Sequence, residues 1–201
     1  LISILISFFI FENHYLYASG GYDNGTATGK DKLGLDITLN PFNYFENGQS
    51  YIVLSYGLTN RTDIHSYYSR PADGFDNYYF GLFNQFYNKK SMSLATAFGI
   101  RKYRKSTTTH LFFPQFLYTI DFYRDIKIGG SIVCIRNYKK KYKIIGITKD
   151  ISFIIPIIKQ SKRSEIIESI NFCLGIFKPV LWQPKVGSWH PTYSIDLIFN
   201  I

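Results

Sequence analysis

The residues that could do chemistry in this chain are few and scattered. The chain has four histidines: His14, His65, His110 and His190. None has a cysteine or carboxylate companion at a metal-ligand spacing. His65 with Ser66, or His190 with Ser188, could supply parts of a nucleophile and base, but neither pair lies in a recognisable motif. Adjacent residues on a strand, such as His65 and Ser66, point to opposite faces, so we expect no catalytic site. The isolated histidines also lead us to expect no metal site and no cofactor.

Two carboxylates are placed where they could act together. Asp36 and Asp196 lie on the polar faces of the first and last predicted strands, which must pair if the sheet closes into a barrel. Two carboxylates inside a narrow lumen need cationic partners or water. The candidate cations are Arg101, Lys127 and Arg136. We expect these residues to form a polar cluster in the lumen, either as an ionic brace or as a selectivity site.

The elements that position these residues are predicted to be strands. The final segment shows the pattern, since its apolar side consists of Tyr193, Ile195, Leu197, Phe199 and Ile201. Alternation with a period of two is typical of a strand with one apolar face. It recurs along the chain in about ten segments, and no apolar run approaches the ~20 residues that a spanning helix needs. The connections after the second, fourth and sixth strands are predicted to be short.

Prolines and cysteines refine this prediction. Pro114 and Pro156 lie inside predicted strands, where proline is tolerated only at an edge or a bulge. Cys134 and Cys173 are assigned to opposite faces of strands that are not neighbours, so we expect both to be free.

Residues 1–19 differ from the rest of the chain. The apolar run from Leu1 to Phe11 has the length of a signal-peptide core, and Leu16-Tyr17-Ala18 is a plausible cleavage site. We expect residues 1–19 to be a truncated signal peptide and residues 20–201 to form one β-barrel domain; an ordinary first strand or helix is the alternative. Residues 20–29 are rich in Gly, Asn, Asp and Thr, which predicts a flexible lead-in.

Composition indicates which face of the sheet meets which environment. Aromatic residues make up 18% of the chain and charged residues 18%, below the roughly 25% charged residues of average globular proteins. The second face of the strands is small and uncharged; it comprises Gly34, Thr38, Ser55, Gly57, Ser93, Ala95, Ala97, Gly99, Gly129, Ser131 and Gly175. A water-facing sheet should carry about a quarter to a third charged residues. The small face is therefore predicted to line a lumen and the apolar face to contact lipid.

The net charge of +9 raises the question of nucleic-acid binding. The basic residues gather at the ends of predicted strands, and there is no groove-reading helix or RNA-binding signature, so we expect no nucleic-acid partner. The two main clusters comprise Arg101, Lys102, Arg104 and Lys105, and Lys139, Lys140, Lys141 and Lys143. If both lie on external loops, they could pair with the phosphates of lipopolysaccharide.

Three features together resemble the small, porin-like outer-membrane β-barrel proteins of Gram-negative bacteria. They are the truncated signal, the hairpin Tyr56-Gly57-Leu58-Thr59-Asn60-Arg61 and the terminal strand. Such barrels commonly end on Phe or Trp, whereas this chain ends on Ile201, with Phe199 two residues earlier. The resemblance implies insertion into the outer membrane by the barrel-assembly machinery and a passive pore or structural role.

The predicted fold is all-β: an antiparallel up-and-down transmembrane β-barrel of about ten strands, within a range of about eight to twelve. With so few strands and a small-residue interior, the lumen should be filled largely by side chains. We therefore expect a structural or narrowly porin-like membrane protein rather than an enzyme. The alternatives are a secreted or periplasmic lipocalin-like barrel that binds an apolar ligand, and an outer-membrane barrel hydrolase.

Overall fold

A computed structural model describes residues 24–39, 50–70, 76–104, 109–138, 142–159, 166–178 and 189–201. Ten strands are formed: β1 (Lys32–Leu39), β2 (Ser50–Gly57), β3 (Thr62–Arg70), β4 (Asn77–Lys89), β5 (Met92–Tyr103), β6 (Thr109–Tyr123), β7 (Ile126–Asn137), β8 (Lys143–Lys159), β9 (Ile167–Lys178) and β10 (His190–Asn200). None of the described residues forms a helix long and apolar enough to cross a membrane. The predicted signal peptide lies outside the described residues.

The strands form one closed antiparallel barrel. Each strand pairs with its neighbours in the sequence, and β1 pairs with β10 to complete the ring. The closing pair runs from Lys32 opposite Asn200 to Leu39 opposite Tyr193. The prediction of an all-β, ten-strand, up-and-down barrel is thus confirmed.

The two ends of the barrel differ in their connections. At one end, the short-turn end, the connections are residues 58–61, 90–91, 124–125 and 160–166. At the other, the long-loop end, they are residues 40–49, 71–76, 104–108, 138–142 and 179–189. The short connections after β2, β4 and β6 are as predicted, and the described residues of the two basic clusters, Arg101, Lys102, Arg104 and Lys143, lie toward the long-loop end.

Side chains on the two faces of the wall have opposite character. On β5, the inward-facing Ala95 and Ala97 are 0% and 3% exposed. Phe98, which follows Ala97 and faces outward, is 45% exposed. Large exposed apolar side chains occur on all ten strands and form what we call the outer belt. Its members include Ile37, Ile52, Leu54, Tyr68, Phe80, Leu82, Phe98, Ile100, Phe116, Ile120, Ile132, Ile147, Ile151, Phe153, Ile176 and Ile195.

Small inward residues make room for large ones. Gly81 and Gly99 lie opposite each other on β4 and β5. A Cβ atom at Gly81 would lie 2.5 Å from the Tyr79 hydroxyl oxygen, and one at Gly99 would overlap the Tyr79 ring. The inward glycines are therefore required by close packing across the lumen.

The prolines inside strands coincide with irregular pairing. At Pro114, the register of β6 with β7 shifts between Phe112 and Gln115. At Pro156, the register of β8 with β9 shifts between Pro156 and Ile158. Since a closed barrel has no edge strand, bulges are what accommodate both prolines.

Candidate functional site: the barrel lumen

The lumen toward the long-loop end is closed by what we call the aromatic plug. It consists of Tyr51, Val53, Tyr67, Tyr79, Phe112, Val133, Ile135 and Phe177, all of which are buried. The Tyr67 and Tyr79 rings stack with centroids 4.8 Å apart, and Phe112 meets Tyr79 edge-on at 5.3 Å. Tyr51 meets Tyr67 edge-on at 5.6 Å, so a continuous series of rings from β2, β3, β4 and β6 crosses the lumen.

Polar groups fix the rings of the plug. The His65 Nε2 atom lies 2.9 Å from the Tyr79 hydroxyl, and the Gln115 Nε2 atom donates to the same hydroxyl at 2.9 Å. Ser66 points away from His65, because its strand partners Leu54 and Phe80 belong to the outer belt. The His65–Ser66 combination therefore does not converge on one site; Ser188 and the side chain of His190 lie outside the described residues.

Arg101 also points into the lumen and is only 5% exposed. Its guanidinium lies over two rings, with its carbon 4.7 Å from the Phe112 centroid and 5.0 Å from that of Tyr103. The Nη2 atom donates to His110 Nδ1 at 3.1 Å, since an arginine can only donate. Arg101 thus belongs to the plug, while the neighbouring Lys102 is exposed.

The lumen toward the short-turn end contains residues 24–31, which we call the inner segment. Lumen side chains bind its backbone on two sides: Gly25 N donates to Thr119 Oγ1 at 2.9 Å, and Gln85 Nε2 donates to Gly25 O at 3.0 Å. Farther along, Thr28 N donates to Asp63 Oδ2 at 2.7 Å. The composition of this stretch predicted a flexible lead-in, but backbone hydrogen bonds fix it inside the barrel.

Small residues let the inner segment fit. A Cβ atom at Gly25 would lie 2.7 Å from the Ser93 carbonyl oxygen and 2.8 Å from the Tyr118 Cα atom, both of which are backbone atoms. Ala27 packs against a second buried cluster formed by Phe83, Ala95, Ala97 and Leu117. At Gly57, an added Cβ would overlap the Gly29 carbonyl group. The wall and the segment are therefore matched in shape.

Beside the inner segment lies a polar cavity of about 570 Å³. It extends to the short-turn end, because Arg124 and Asp125 of the β6–β7 turn line it together with Lys127. Its carboxylates are Asp36, Asp121, Asp125, Glu168 and Asp196. Since five carboxylates face two basic side chains, the lining of the cavity is acidic in a chain whose net charge is positive.

Asp36 and Asp196 are brought together as the sequence predicted. They lie directly opposite each other in the closing β1–β10 pair. Thr38 Oγ1 donates to Asp36 Oδ1 at 2.6 Å, and Ser194 Oγ donates to Asp196 Oδ1 at 3.0 Å. The Cys173 thiol lies 3.0 Å from Asp196 Oδ2. Hydroxyl and thiol groups are therefore hydrogen-bond partners of this pair.

The predicted cations divide among three places. Lys127 lines the same cavity as Asp36 and Asp196. Arg101 lies in the aromatic plug, and Arg136 donates its Nε to the Phe113 carbonyl oxygen at 3.0 Å. Within the described ranges, no ion pair joins any of these five residues.

The polar groups that the sequence did not indicate are the buried Gln115 and the partly buried Lys32–Glu168 ion pair. Lys32 Nζ lies 2.5 Å from Glu168 Oε2, at the short-turn end of the wall. Of these residues, only Lys32 had a position in the sequence that indicated its location, because it lies at the start of the first predicted strand.

The basic clusters at the long-loop end are partly described. Lys102, Arg104 and Lys143 are exposed, and Arg104 Nη1 forms an ion pair with Asp76 at 3.2 Å. Lys105 and Lys139–Lys141 lie outside the described residues. One further basic pair appears on the wall, where Lys149 of β8 lies directly opposite Lys178 of β9.

Both cysteines, Cys134 and Cys173, are free, as predicted, and both are buried. In the part of the chain that the structure describes, no group of three or more His, Cys, Asp or Glu side chains is arranged to hold a metal ion.

Comparison with known proteins leaves the family open. No protein-family model and no curated protein matches the sequence. One similar solved structure is described as a bacterial polysaccharide outer membrane secretin; it shares 10% sequence identity and superposes with a TM-score of 0.38. The match covers 77% of this chain and 56% of the secretin chain, so this chain spans little more than half of the secretin chain's length. A similarity this distant does not bear on function.

Replacing Gly25 tests whether the inner segment is held by shape. We expect Gly25→Val to displace the segment, because the clashing atoms belong to the backbone of the wall and cannot rotate away. The measurement is the rate of thiol labelling at Ala27→Cys in a Cys134→Ser, Cys173→Ser background. Labelling should accelerate at least about tenfold with Gly25→Val, which corresponds to about 1.4 kcal/mol in the opening equilibrium. The exposed Lys30→Ala is the matched control, and equal labelling rates in both variants would contradict the fit.

Proposed function

We propose that this chain is a transmembrane β-barrel of a bacterial outer membrane, with an occluded lumen, a structural or narrowly porin-like role and no catalytic activity. The observation that carries the proposal is the outer belt, to which all ten strands contribute exposed apolar side chains. Soluble monomers rarely expose a contiguous apolar patch larger than a few hundred Å². A belt that encircles the barrel is the surface expected of a protein whose solvent is lipid.

The lumen favours a membrane barrel over a soluble lipocalin-like one. A barrel that binds an apolar ligand needs an apolar interior and a charged exterior. Here the buried positions include Asp63, His65, Arg101 and Gln115, while the exposed strand positions are mainly aliphatic and aromatic. The polarity is therefore inverted relative to the lipocalin-like alternative.

Backbone pairing and strand length also support spanning. A closed ring satisfies strand hydrogen bonds internally, which the hydrocarbon core of a bilayer requires. Strands β4–β10 have 11 to 17 residues, and about 9–11 tilted residues cross a bilayer. Strands β1–β3 are shorter, with 8 or 9 residues each.

Occlusion follows from what fills the lumen. The aromatic plug crosses it toward the long-loop end, and the inner segment occupies it toward the short-turn end. Small barrels of this strand number have interiors that side chains can fill. We propose that only small solutes or ions could pass, and only when one of these two parts moves.

The orientation that we propose places the long-loop end outside the cell, because outer-membrane barrels have short periplasmic turns and longer external loops. The exposed Lys102 and Lys143, with the basic residues of their loops, would then face lipopolysaccharide. Lys149 and Lys178 would face it too, and their direct opposition is unfavourable unless an anion neutralises them. We also propose insertion by the barrel-assembly machinery.

Placing a charge in the outer belt tests the membrane assignment. Leu54 is 45% exposed near the middle of β2, so Leu54→Arg would be almost neutral in a water-soluble barrel. In a bilayer we expect a loss of about 2–4 kcal/mol in the free energy of unfolding, measured by urea titration in lipid vesicles. Ser91→Arg, in the exposed β4–β5 turn, is the control. A wild-type chain that is folded and monomeric in buffer without detergent would overturn the assignment.

Conductance tests the occluded lumen. In planar bilayers we expect the wild-type chain to show no steady conductance of the size of an open porin. Combining Tyr79→Ala with Phe112→Ala removes two rings of the aromatic plug and should produce measurable current. Phe98→Ala, on the outer face, is the control, and heat-dependent gel mobility checks that each variant is folded. Wide-pore conductance in the wild type would refute occlusion.

Charge removal tests the lipopolysaccharide proposal. We expect the double substitution Lys149→Gln, Lys178→Gln to reduce the rise in thermal midpoint that lipopolysaccharide produces in the detergent-solubilised protein, because two phosphate-pairing charges are lost. Lys89→Gln with Lys90→Gln removes the same charge at the short-turn end and should leave that rise unchanged. Equal effects of the two double substitutions would mean that only net charge matters.

A further inference from the structure

Arg101 carries a buried charge that no carboxylate of the described residues balances. Its side chain is 5% exposed, and the ion pairs among the described residues join other side chains: Lys30 with Asp31, Lys32 with Glu168, and Arg104 with Asp76. Its Nε atom is buried and has no hydrogen-bond partner among the described residues. Its Nη2 atom donates to His110 Nδ1, a neutral acceptor, at 3.1 Å. The site therefore keeps a net positive charge.

The surroundings of Arg101 do not offset this charge. The two ring contacts attract the guanidinium through the quadrupoles of the Tyr103 and Phe112 rings. An isolated ion in a medium of low dielectric constant costs far more than such contacts contribute, and buried charges in proteins are accordingly paired. No side chain among the described residues therefore supplies a counter-charge at this site.

The neighbours of Arg101 are suited to an anion. Tyr67 interacts electrostatically with the guanidinium, and its buried hydroxyl has no hydrogen-bond partner among the described residues. The Tyr103 hydroxyl lies 3.3 Å from His110 Nδ1, the atom to which Arg101 also donates. Hydroxyl groups donate hydrogen bonds as well as accept them, and a guanidinium has five donors in a fixed fork. Together these groups form a donor-rich environment with one positive charge, enclosed by the walls of the aromatic plug.

We propose that the lumen contains a binding site for a small monovalent anion at Arg101, such as chloride or a short carboxylate. The guanidinium Nε and the Tyr67 hydroxyl are its donors. One uncompensated charge selects a monovalent ion, and enclosure by rings selects a small one. The bound anion neutralises the plug and stabilises the barrel, whether or not the barrel spans a membrane.

Anion-dependent stability tests the site in the full chain. At equal ionic strength, chloride and acetate should raise the thermal midpoint saturably over gluconate, which is too large to enter. A hundredfold excess over the dissociation constant should give a rise on the order of 5–10 °C. Arg101→Met should abolish the rise, Arg101→Lys should retain part of it, and the exposed Lys102→Met should leave it unchanged.

A second measurement does not depend on a folded variant. Crystals of the wild-type protein grown with bromide should show an anomalous peak beside the Arg101 guanidinium. Stabilisation that is the same in all anions, or the same in Arg101→Met as in wild type, would overturn the proposal. So would bromide density confined to the protein surface.

Discussion

The pairing of β1 with β10 is the interaction on which the rest of the structure depends. It closes the sheet, so that every strand has two neighbours. Because side chains alternate between the two faces of a strand, the position of a residue along its strand then decides whether it faces the lumen or the outside. The closing pair also sets Asp36 against Asp196. A one-residue slip would exchange the two faces of a strand, turning carboxylates outward and leucine and isoleucine inward. Closure and the segregation of polar from apolar residues are therefore one constraint.

Closure at ten strands leaves a lumen that must be filled from within. Large rings occupy it toward the long-loop end, where Gly81 and Gly99 give them space, and the chain's own inner segment occupies the other half. The two halves differ in their charged side chains: the aromatic plug contains Arg101, whereas the cavity at the short-turn end is lined mainly by carboxylates.

Much of the fold could be predicted from the sequence, because an alternation of period two is a local property. Ala95 and Phe98 reveal their faces within one strand, and Pro114 marks a bulge by its missing N–H group. The lumen was less predictable. Arg101 was predicted both as a lumen cation and as part of a basic loop. It does point inward, because β5 continues to Tyr103, but it lies over Phe112 in the aromatic plug and not beside Asp36 and Asp196. The inner segment has no periodicity that would indicate its position. Its backbone is held by Thr119 and Gln85, which are far away in the sequence.

The central claim is that the outer belt faces lipid and the small face does not. Fluorescence quenching by lipids with brominated acyl chains measures this directly. Single tryptophans are introduced as Phe98→Trp in the outer belt and Phe83→Trp in the lumen, with Trp182→Phe and Trp189→Phe removing the native reporters. If the outer belt faces lipid, we expect strong quenching of the Phe98→Trp protein and little quenching of the Phe83→Trp protein. Equal quenching at both positions, or no quenching at Phe98→Trp in a folded protein, would contradict it.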